Sequence, residues 1–493
     1  MTIQTSLGRT SLGRTPLRRR GFLVSGAAVA GGFSLGFSVP FGDGAAHAAE
    51  VKEINAWVVI QPDDKVVIRI ARSEMGQGTL TGLAQLVAEE LECDWKKVTT
   101  EYPTPGENLR RGRVWKNFST GGSRGIRESN QYVREGGAMA REMLIAAAAA
   151  EWKVSAAECS AASSVITHKP SGKTVTYGAV AAAAAQLEPP KEVKLKDPKD
   201  WKIAGKPVKR LDTLDKVTGK QVYGIDFTMP GMLVATVRAC PVIGGTLKSF
   251  DAAKVEKMPG VKKVVAIDGN AVVVVADTYW NARTALAALP TDWDIGKLGE
   301  VSSDTIAALL KEGLDAPEAF VGNKVGDARA AIAGAAKKVE ATYSFPYQHH
   351  ATMEPMNATA RVSADKCEVW CGTQNGEAAL AAASEASGLP VAKCDVFKLM
   401  LGGGFGRRGR SDYVRQAVLV AKEMLGTPVK LIWSREEDMT HCQYHPITMA
   451  RLTGGLDAEG NLVGLQVRIS GQSILAALLP QNLRNGMDPA TFQ

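Results

Sequence analysis

The sequence CDVFKLMLGGGFGRRG, residues 394–409, is a short apolar run followed by five glycines in eight residues. An amphipathic helical pattern follows over 411–425, and an apolar run typical of a strand follows over 429–433. Glycines let the backbone bend sharply and approach a ligand, and the free N–H groups at the start of a helix attract anions. We therefore expect a strand, a glycine turn and a helix that bind a nucleotide-like cofactor.

Two further glycine turns precede helical patterns. Residues 53–71 predict two strands around a Pro-Asp-Asp turn, and they lead into Met-Gly-Gln-Gly at 75–78. Ser-Thr-Gly-Gly-Ser-Arg at 119–124 opens a helical pattern over 125–152. Backbone N–H groups, hydroxyls and the Gln77 amide in such turns could all hydrogen-bond a polar cofactor. Three such turns in one chain favour a shared binding site over coincidence.

The last glycine turn also permits a different interpretation. Gly404, Gly406 and Gly409 have the spacing of a dinucleotide-binding fingerprint, and Glu436 follows the next predicted strand, where a ribose-binding acid would stand. Taken alone, this pattern indicates an NAD- or FAD-dependent dehydrogenase. The Arg-Arg pair before Gly409 occupies the point where the helix normally packs closely on the sheet, which disfavours this alternative.

The composition is that of a globular protein with several domains: 493 residues, 45% hydrophobic and 22% charged. The net charge is +8, but part of the excess lies in the arginines before residue 21. Basic clusters interleaved with aromatic residues do not occur, so we expect no nucleic-acid partner.

Cysteine and histidine spacing argues against a metal centre built from this chain. The seven cysteines contain no C-x-x-C pair, which excludes an iron–sulfur or zinc framework of that kind. Cys367 and Cys371 point the same way from a predicted strand; a disulfide is open to them, but two buried thiols are favoured. His441 and His445 are four residues apart in a predicted loop, and we interpret their spacing as chance. No metal-ligating side chain is therefore predicted.

The N-terminus has the pattern of an export signal. Arg18–Arg20 precede an apolar run rich in glycine and alanine over 22–41, and Ala46-His47-Ala48 offers a small-x-small cleavage site. Residues 1–48 are therefore predicted to be a twin-arginine signal peptide, which would send the folded protein to the periplasm. An uncleaved membrane anchor is the alternative, and the many glycines and serines of the run disfavour it.

The glycine turns together resemble a known family. Met75–Gly78, Gly372–Gln374 and Gly402–Gly406 are similar to motifs of the molybdenum-binding large subunit of the xanthine dehydrogenase and aldehyde oxidase family. The order of the motifs and the export signal resemble the isoquinoline 1-oxidoreductase beta-subunit branch. Further similar segments are Pro207–Asp226, His350–Pro355 and Trp433–Met439. The resemblance covers nearly all of residues 50–493.

The resemblance implies an α+β fold with the multi-domain architecture of a molybdenum hydroxylase large subunit, including an inserted hammerhead-like α+β domain. The predicted parts are the signal peptide (1–48), a first molybdenum-cofactor-binding segment (49–190), the hammerhead-like domain (201–295), a helical bridge (296–337) and a second, incomplete cofactor-binding segment (338–493).

The resemblance also implies a cofactor, a molybdenum–molybdopterin cytosine dinucleotide, and residues that would bind it. Gln374 would lie close to the metal ligands, and Phe405 would form a wall of the substrate pocket. The full set of predicted cofactor-binding residues is Gly76, Gln77, Gly121, Gly122, Ser123, Gln374, Gly404, Phe405 and Gly406.

The activity implied by the resemblance is hydroxylation of an aldehyde or N-heterocyclic carbon, with water as the oxygen source. Because this chain has no cysteine cluster, electrons would leave through a small [2Fe–2S] subunit, with a cytochrome c as a further candidate partner.

The family's catalytic glutamate lies in a Gly-x-Gly-Glu motif that this sequence does not contain. Glu354 and Glu436 do not match that motif, so no catalytic residue is assigned. The family's usual carboxylate shortly after the glycine run is replaced by Arg407, Arg408 and Gly409. We expect a truncated or split polypeptide. The alternative to an active enzyme is a non-catalytic fragment that needs a second polypeptide to complete its site.

Overall fold

The computed structural model of the chain describes residues 52–478 and 480–492. The predicted signal peptide, residues 1–48, lies outside this part of the chain. Within it, helices and sheets are interleaved, which confirms the predicted α+β class. The helices of the described part are all too short or too polar to cross a membrane.

The first predicted cofactor-binding segment folds around a four-stranded sheet. In spatial order its strands are β1 (Lys52–Asn55), β2 (Val58–Ile60), β3 (Val66–Arg69) and β4 (Val98–Glu101). Only β3 and β4 run parallel. The segment also contains α1 (Thr79–Leu91), α2 (Pro105–Arg110), α3 (Arg124–Arg127), α4 (Asn130–Trp152) and α5 (Tyr177–Ala184), with a small sheet of β5 (Cys159–Ala162), β6 (Val165–His168) and β7 (Thr174–Thr176).

Two side-chain contacts interrupt elements that the sequence predicts as continuous. Asn55 Oδ1 accepts hydrogen bonds from the N–H of Trp57 at 2.9 Å and of Val58 at 3.0 Å. This turn separates β1 from β2, so three strands replace the predicted two. The predicted long helix breaks at Ser129, whose Oγ accepts from Arg72 Nε at 3.0 Å.

The core of this region lies between the sheet, α1 and α4. A Cβ on Gly137 would lie 2.4 Å from the carbonyl oxygen of Val87, so glycine is what lets α4 approach α1 closely. The buried side chains that fill the core include Val58, Ile60, Val66, Ile68, Leu83, Leu91, Val133 and Leu144.

The second half of the chain is built on a seven-stranded sheet. In spatial order its strands are β10 (Val261–Ile267), β11 (Ala271–Ala276), β8 (Leu233–Ala239), β17 (Val429–Ile432), β14 (Asn357–Val362), β15 (Cys367–Cys371) and β16 (Cys394–Lys398). The helices α10 (Gly376–Ser387) and α11 (Asp412–Lys422) pack against it. Strands of the predicted hammerhead-like domain, 201–295, therefore share one sheet with strands of segment 338–493. The division into these domains stays a prediction.

The position of the glycine stretch in this sheet rules out the dinucleotide-binding interpretation. The stretch follows the edge strand β16, as predicted, and the helix α11 leads on to β17. However, β14 and β15 stand between β16 and β17, and β14 runs antiparallel to both of its neighbours. A dinucleotide-binding unit needs adjacent parallel strands joined by the helix.

The remaining elements flank these two sheets. β9 (Thr246–Phe250) pairs with β12 (Thr291–Asp294), and α7 (Tyr279–Ala288) lies near them. The predicted bridge, 296–337, is helical at α8 (Ser303–Asp315) and α9 (Ala328–Ala333), which cover a sheet of β13 (Lys337–Phe345), β18 (Thr448–Leu456) and β19 (Leu462–Gly471). Short helices are α6 (Thr213–Val217), α12 (Arg435–His441) and α13 (Ile474–Leu478). All seven cysteines are free and buried, which confirms thiols at Cys367 and Cys371.

Candidate functional site

Residues of two predicted turns and of the end of β15 meet at one place. The Ser73 N–H donates to Thr120 Oγ1 at 2.9 Å, and the Ser73 hydroxyl donates to the carbonyl oxygen of Thr373 at 2.7 Å. The Thr120 N–H donates to the carbonyl oxygen of Gln374 at 2.7 Å. The turn before α1, the turn before α3 and the end of β15 are therefore held together by hydrogen bonds between distant parts of the chain.

Gln374 joins the second turn to the glycine stretch. Its side chain is buried; Nε2 donates to the carbonyl oxygen of Thr120 at 2.9 Å, and Oε1 accepts from the Gly406 N–H at 3.0 Å. A Cβ on Gly404 would lie 2.6 Å from Gln374 Oε1 and 2.5 Å from Met75 Sδ, so a larger residue there would displace one of these side chains. The structure thus brings together Gln374, Gly404 and Gly406, which sequence reasoning placed in one site.

Gln77 has a local role in this structure. Its Oε1 accepts from the Met75 N–H at 2.8 Å, and its Nε2 donates to the carbonyl oxygen of Ser73 at 3.0 Å. Gly76 and Gly78 take positive φ angles of 112° and 91°, which a larger residue adopts only with strain. The amide of Gln77 therefore shapes its own turn, and its predicted contact with a cofactor stays a prediction.

Glu74 is a residue of this turn that sequence reasoning missed. Its buried carboxylate accepts from the N–H groups of Gly76 at 2.8 Å, Gly78 at 3.0 Å and Leu80 at 3.0 Å. The Arg210 guanidinium donates to the same carboxylate at 3.1 Å. The start of α1 is thus occupied by an anion of the chain itself, which accepts from three of the backbone donors that a phosphate would need there. An acidic residue two positions before the first glycine was the available signal.

The turn before α3 has the opposite character. Gly122 and Ser123 have positive φ angles of 58° and 54°, and a Cβ on Gly121 would meet nothing within 4 Å. In the described part of the chain, the N–H groups of these three residues have no hydrogen-bond acceptor. They are neutral donors left free for a bound molecule.

The glycine stretch presents its donors in a similar way. Gly403 and Gly406 have φ angles of 96° and 102°, and Phe405 has a φ of 54°, which is unusual for an aromatic residue. The Phe405 side chain is 64% exposed, although it lies beside the buried Gly404. The N–H groups of Gly404 and Phe405 also lack an acceptor among the described residues.

Arg407 and Arg408 support the glycine stretch from behind. Both are buried; Arg407 donates to the two carboxylate oxygens of Asp412 at 2.9 and 2.8 Å. Arg408 donates to the carbonyl oxygen of Gly403 at 3.0 Å and to the Glu354 carboxylate at 3.0 Å. These arginines hold the turn in shape, and the buried Arg407 Nε and Arg408 Nη1 have no hydrogen-bond partner among the described residues.

Glu354 is the second buried carboxylate of the site that sequence reasoning left without a role. Besides Arg408, it accepts from the N–H of Gly402 at 2.7 Å and of Ile225 at 2.9 Å. All of these partners belong to the chain, so Glu354 acts as an anchor for the glycine stretch, and it is not free to act as a base.

A buried lysine lies where the first and last turns approach each other. Lys398, at the end of β16, donates through Nζ to the carbonyl oxygen of Ala71. The ammonium group lies 4.3 Å from the ring centre of Tyr102 and 5.0 Å from that of Phe118. Burial, with a smaller contribution from the nearby Arg72 cation, lowers the pKa of Lys398 to about 7. A lysine within an apolar strand pattern was the available signal.

His441 and His445 do not share a site. His441 Nε2 donates to the carbonyl oxygen of Cys240 at 2.8 Å, and Nδ1 lies 3.0 Å from the Glu437 carboxylate. Burial lowers the pKa of His441, but the contact with Glu437 outweighs it, so the net pKa is raised. No three His, Cys, Asp or Glu side chains of the described part are grouped as metal ligands would be.

A cavity of about 440 Å³ lies away from these turns, between α7, β8 and α12. None of the predicted cofactor-binding residues lines it; its polar lining includes Arg238, Arg283, Glu437, Thr440 and His441.

The donors at the site fit a molybdopterin dinucleotide. Such a group carries a pyrophosphate and a polar heterocycle, which need several neutral donors and close approach of the backbone. The open N–H groups at 121–123 and 404–405 supply the donors, and the Gly404 position, which a Cβ would fill, supplies the approach.

Comparison with known proteins agrees with this site. Two family models described as molybdopterin cofactor-binding domains match the chain, one over residues 18–239 and the other over 314–473. The predicted site residues 76–123 fall within the first match, and residues 374–406 within the second.

Individual relatives match over most of the chain. The chain is 28% identical to the membrane-bound aldehyde dehydrogenase [pyrroloquinoline-quinone] of Gluconacetobacter polyoxogenes, over 95% of this chain and 62% of that protein. It is also 28% identical to isoquinoline 1-oxidoreductase subunit beta of Brevundimonas diminuta, over 96% of this chain and 67% of that protein. The chain therefore spans about two thirds of the length of these relatives.

Among solved structures, quinoline 2-oxidoreductase from Pseudomonas putida 86 overlaps 52% of this chain and 38% of its own, with 19% identity and a TM-score of 0.43. An overlap of this quality supports no structural argument. The family matches and the relatives carry the conclusion: the chain belongs to the family of molybdopterin-binding large subunits that includes xanthine dehydrogenase and aldehyde oxidase.

Proposed function

We propose that the chain is the cofactor-binding part of a molybdenum hydroxylase that oxidises an aldehyde or N-heterocyclic carbon with water as the oxygen source. The observation that carries the proposal is the Gln374 bridge, which places the open donors of 121–123 and those of Gly404 and Phe405 in one hydrogen-bonded assembly. The names of the two relatives, an aldehyde dehydrogenase and an isoquinoline oxidoreductase, support these two substrate classes.

The cofactor we propose is the cytosine dinucleotide form of molybdenum–molybdopterin. Residues 121–123 would hold its dinucleotide part through their N–H groups, and residues 404–406 would approach the metal end. When bound, the group would supply two-electron oxidation coupled to transfer of an oxygen atom. The chain's own contribution is to orient the cofactor with neutral donors and to line the approach with Phe405.

The proposed enzyme needs further polypeptide. A small [2Fe–2S] subunit, and a cytochrome c as a second candidate, would carry the electrons away. The catalytic base stays unassigned, because Glu354 is engaged by Arg408 and by two backbone N–H groups.

Metal and cofactor analysis of the purified protein tests the proposal. We expect molybdenum and a pterin in equal amounts, and turnover of an aldehyde or N-heterocycle once the partner subunits are present. A protein that instead binds pyrroloquinoline quinone, as the name of one relative suggests, or binds no cofactor in the presence of its partners, would contradict it.

The Gln374 bridge can be tested by substitution. Gln374→Ala removes both hydrogen bonds, so we expect the molybdenum content of the assembled enzyme to fall at least several-fold. The exposed Gln186→Ala provides the matched control and should leave the content unchanged. Equal molybdenum in both variants would show that the site lies elsewhere.

We also propose that the protein is exported to the periplasm by the twin-arginine route. The mature protein should then begin at Ala49, and replacing Arg18–Arg20 with lysines should leave it in the cytoplasm. N-terminal sequencing of the protein from fractionated cells gives the answer, and a mature N-terminus at Met1 or Thr2 would contradict the proposal.

A further inference from the structure

His350 lies directly beside the exposed end of the glycine stretch. It belongs to the segment between β13 and β14, and a Cβ on Gly406 would lie 3.6 Å from its Nε2. Gly406 follows the exposed Phe405, so the imidazole lies beside the residue next to this phenylalanine. His350 begins one of the segments that resemble the family, 350–355, but the sequence alone predicts no role for it in the site.

Two neighbours fix the orientation of the ring. His350 Nδ1 lies 3.2 Å from Cys442 Sγ, and the ring contacts the His445 ring at a tilt of 32°, with 4.2 Å between the ring centres. The two loops are joined by the His445 N–H, which donates to the carbonyl oxygen of Gln348 at 2.9 Å. The imidazole is therefore held with Nδ1 inward and Nε2 toward Gly406.

Burial and the surrounding charges keep this imidazole neutral. Burial, with smaller contributions from His445, the Arg407 cation and His349, lowers the pKa of His350 to about 4. Burial also raises the pKa of the Cys442 thiol, so its sulfur keeps its proton. A thiol that donates to Nδ1 leaves the ring proton of the neutral imidazole on Nε2. In the described part of the chain, His350 Nε2 has no hydrogen-bond partner.

We propose that His350 is a substrate-positioning residue whose Nε2–H donates a hydrogen bond to a carbonyl oxygen or ring nitrogen of the molecule bound over Phe405. This inference rests on the proposed function and adds to it a preference for one class of substrate. A neutral donor favours a substrate that presents an sp² acceptor near the reacting carbon. It disfavours a substrate that presents only a cation, because the positive charge of Arg407 acts on this ring.

Nuclear magnetic resonance of the full chain tests the protonation state without a cofactor. The sequence has six histidines, so ¹⁵N-labelled histidine gives few signals, and the His350→Gln variant identifies the signal of His350. We expect the Nε2–H tautomer at neutral pH and a shift of this signal when benzamide, a neutral carbonyl compound, is added. An Nδ1–H tautomer, or a signal that benzamide does not move, would overturn the inference.

Steady-state kinetics of the assembled holoenzyme provide a second test of the role of His350. His350→Phe keeps a ring but removes the donor, so KM should rise about tenfold with kcat changed much less. His350→Gln keeps an N–H donor and should recover most of this loss. His168→Gln, in the distant strand β6, is the control for loss of an imidazole.

The two proposals fail in distinguishable ways. An active molybdenum enzyme whose KM is the same in wild type and His350→Phe would overturn the role of His350 and leave the proposed function standing. A protein without molybdenum would overturn the proposed function, while the tautomer and the benzamide shift would still decide whether His350 is a free donor. Thermal unfolding of both variants checks that each is folded.

Discussion

The turns at 75–78 and 402–406 look alike in sequence but treat their donors differently. In the first, the Glu74 carboxylate takes the N–H groups of Gly76, Gly78 and Leu80. In the second, the Gly406 N–H donates to Gln374 and the Gly402 N–H donates to Glu354, whereas the N–H groups between them have no acceptor among the described residues. A glycine turn before a helix is therefore an anion site only where the chain has not supplied the anion itself.

The largest expected effect is the loss of the internal anion in the first turn. Glu74→Ala should lower the free energy of unfolding by about 4 kcal/mol, because it leaves three N–H groups and Arg210 without their buried partner. Denaturant unfolding measures this, with the exposed Glu151→Ala as the control. A loss below about 1 kcal/mol would mean that solvent replaces Glu74 and that the two turns are equivalent.

The second expected effect is a pH dependence of stability caused by Lys398, which connects β16 to the first turn through a hydrogen bond. Its pKa is about 7 in the folded chain and near 10.5 when exposed, so the unfolded chain binds more protons between these values. Stability should therefore rise with pH from about 7 to about 10.5, by a few kcal/mol in total. Lys398→Met should flatten this rise in a series of unfolding curves. An unchanged slope would show that Lys398 is charged and solvated.

The third expected effect is a loss of stability when Gly404, which lies close to Met75 and Gln374 in the last turn, is replaced. Gly404→Ala should cost about 2 kcal/mol, because its Cβ would collide with Met75 Sδ and Gln374 Oε1. Gly121→Ala has open space around the new Cβ and should cost less than about 0.5 kcal/mol. Unfolding of the cofactor-free chain compares the two; equal costs would place the tight contact elsewhere.

The smallest effect concerns Gln77. If its amide only shapes the first turn, Gln77→Ala should cost about 1 kcal/mol through loss of its bonds to Met75 and Ser73. Molybdenum content of the assembled enzyme then separates the two roles. Content that stays level would restrict Gln77 to the turn, and content that falls would support its predicted contact with the cofactor.

Much of the fold follows from local patterns. The strand before the glycine stretch, the helix after it and the strand β17 were predictable because hydrophobic periodicity and glycine act over a few residues. The breaks in two predicted elements, one strand and one helix, could not be predicted in this way, because each break depends on a single side chain. Asn55 forms its own turn, and Ser129 meets Arg72, which is distant in sequence.

The family and the set of glycine turns could be read from the amino-acid sequence, because turn residues and their spacing are local properties of the chain. The sequence does not show which backbone donors remain free. This depends on the hydrogen bonds of Glu74, Gln374 and Glu354, whose partners come close only when the chain folds. The position of His350 over Gly406 is of the same kind, since 56 residues and a change of strand separate the two. Tertiary contacts determine which polar groups are hydrogen-bonded and which are buried, and they therefore determine what each turn can bind.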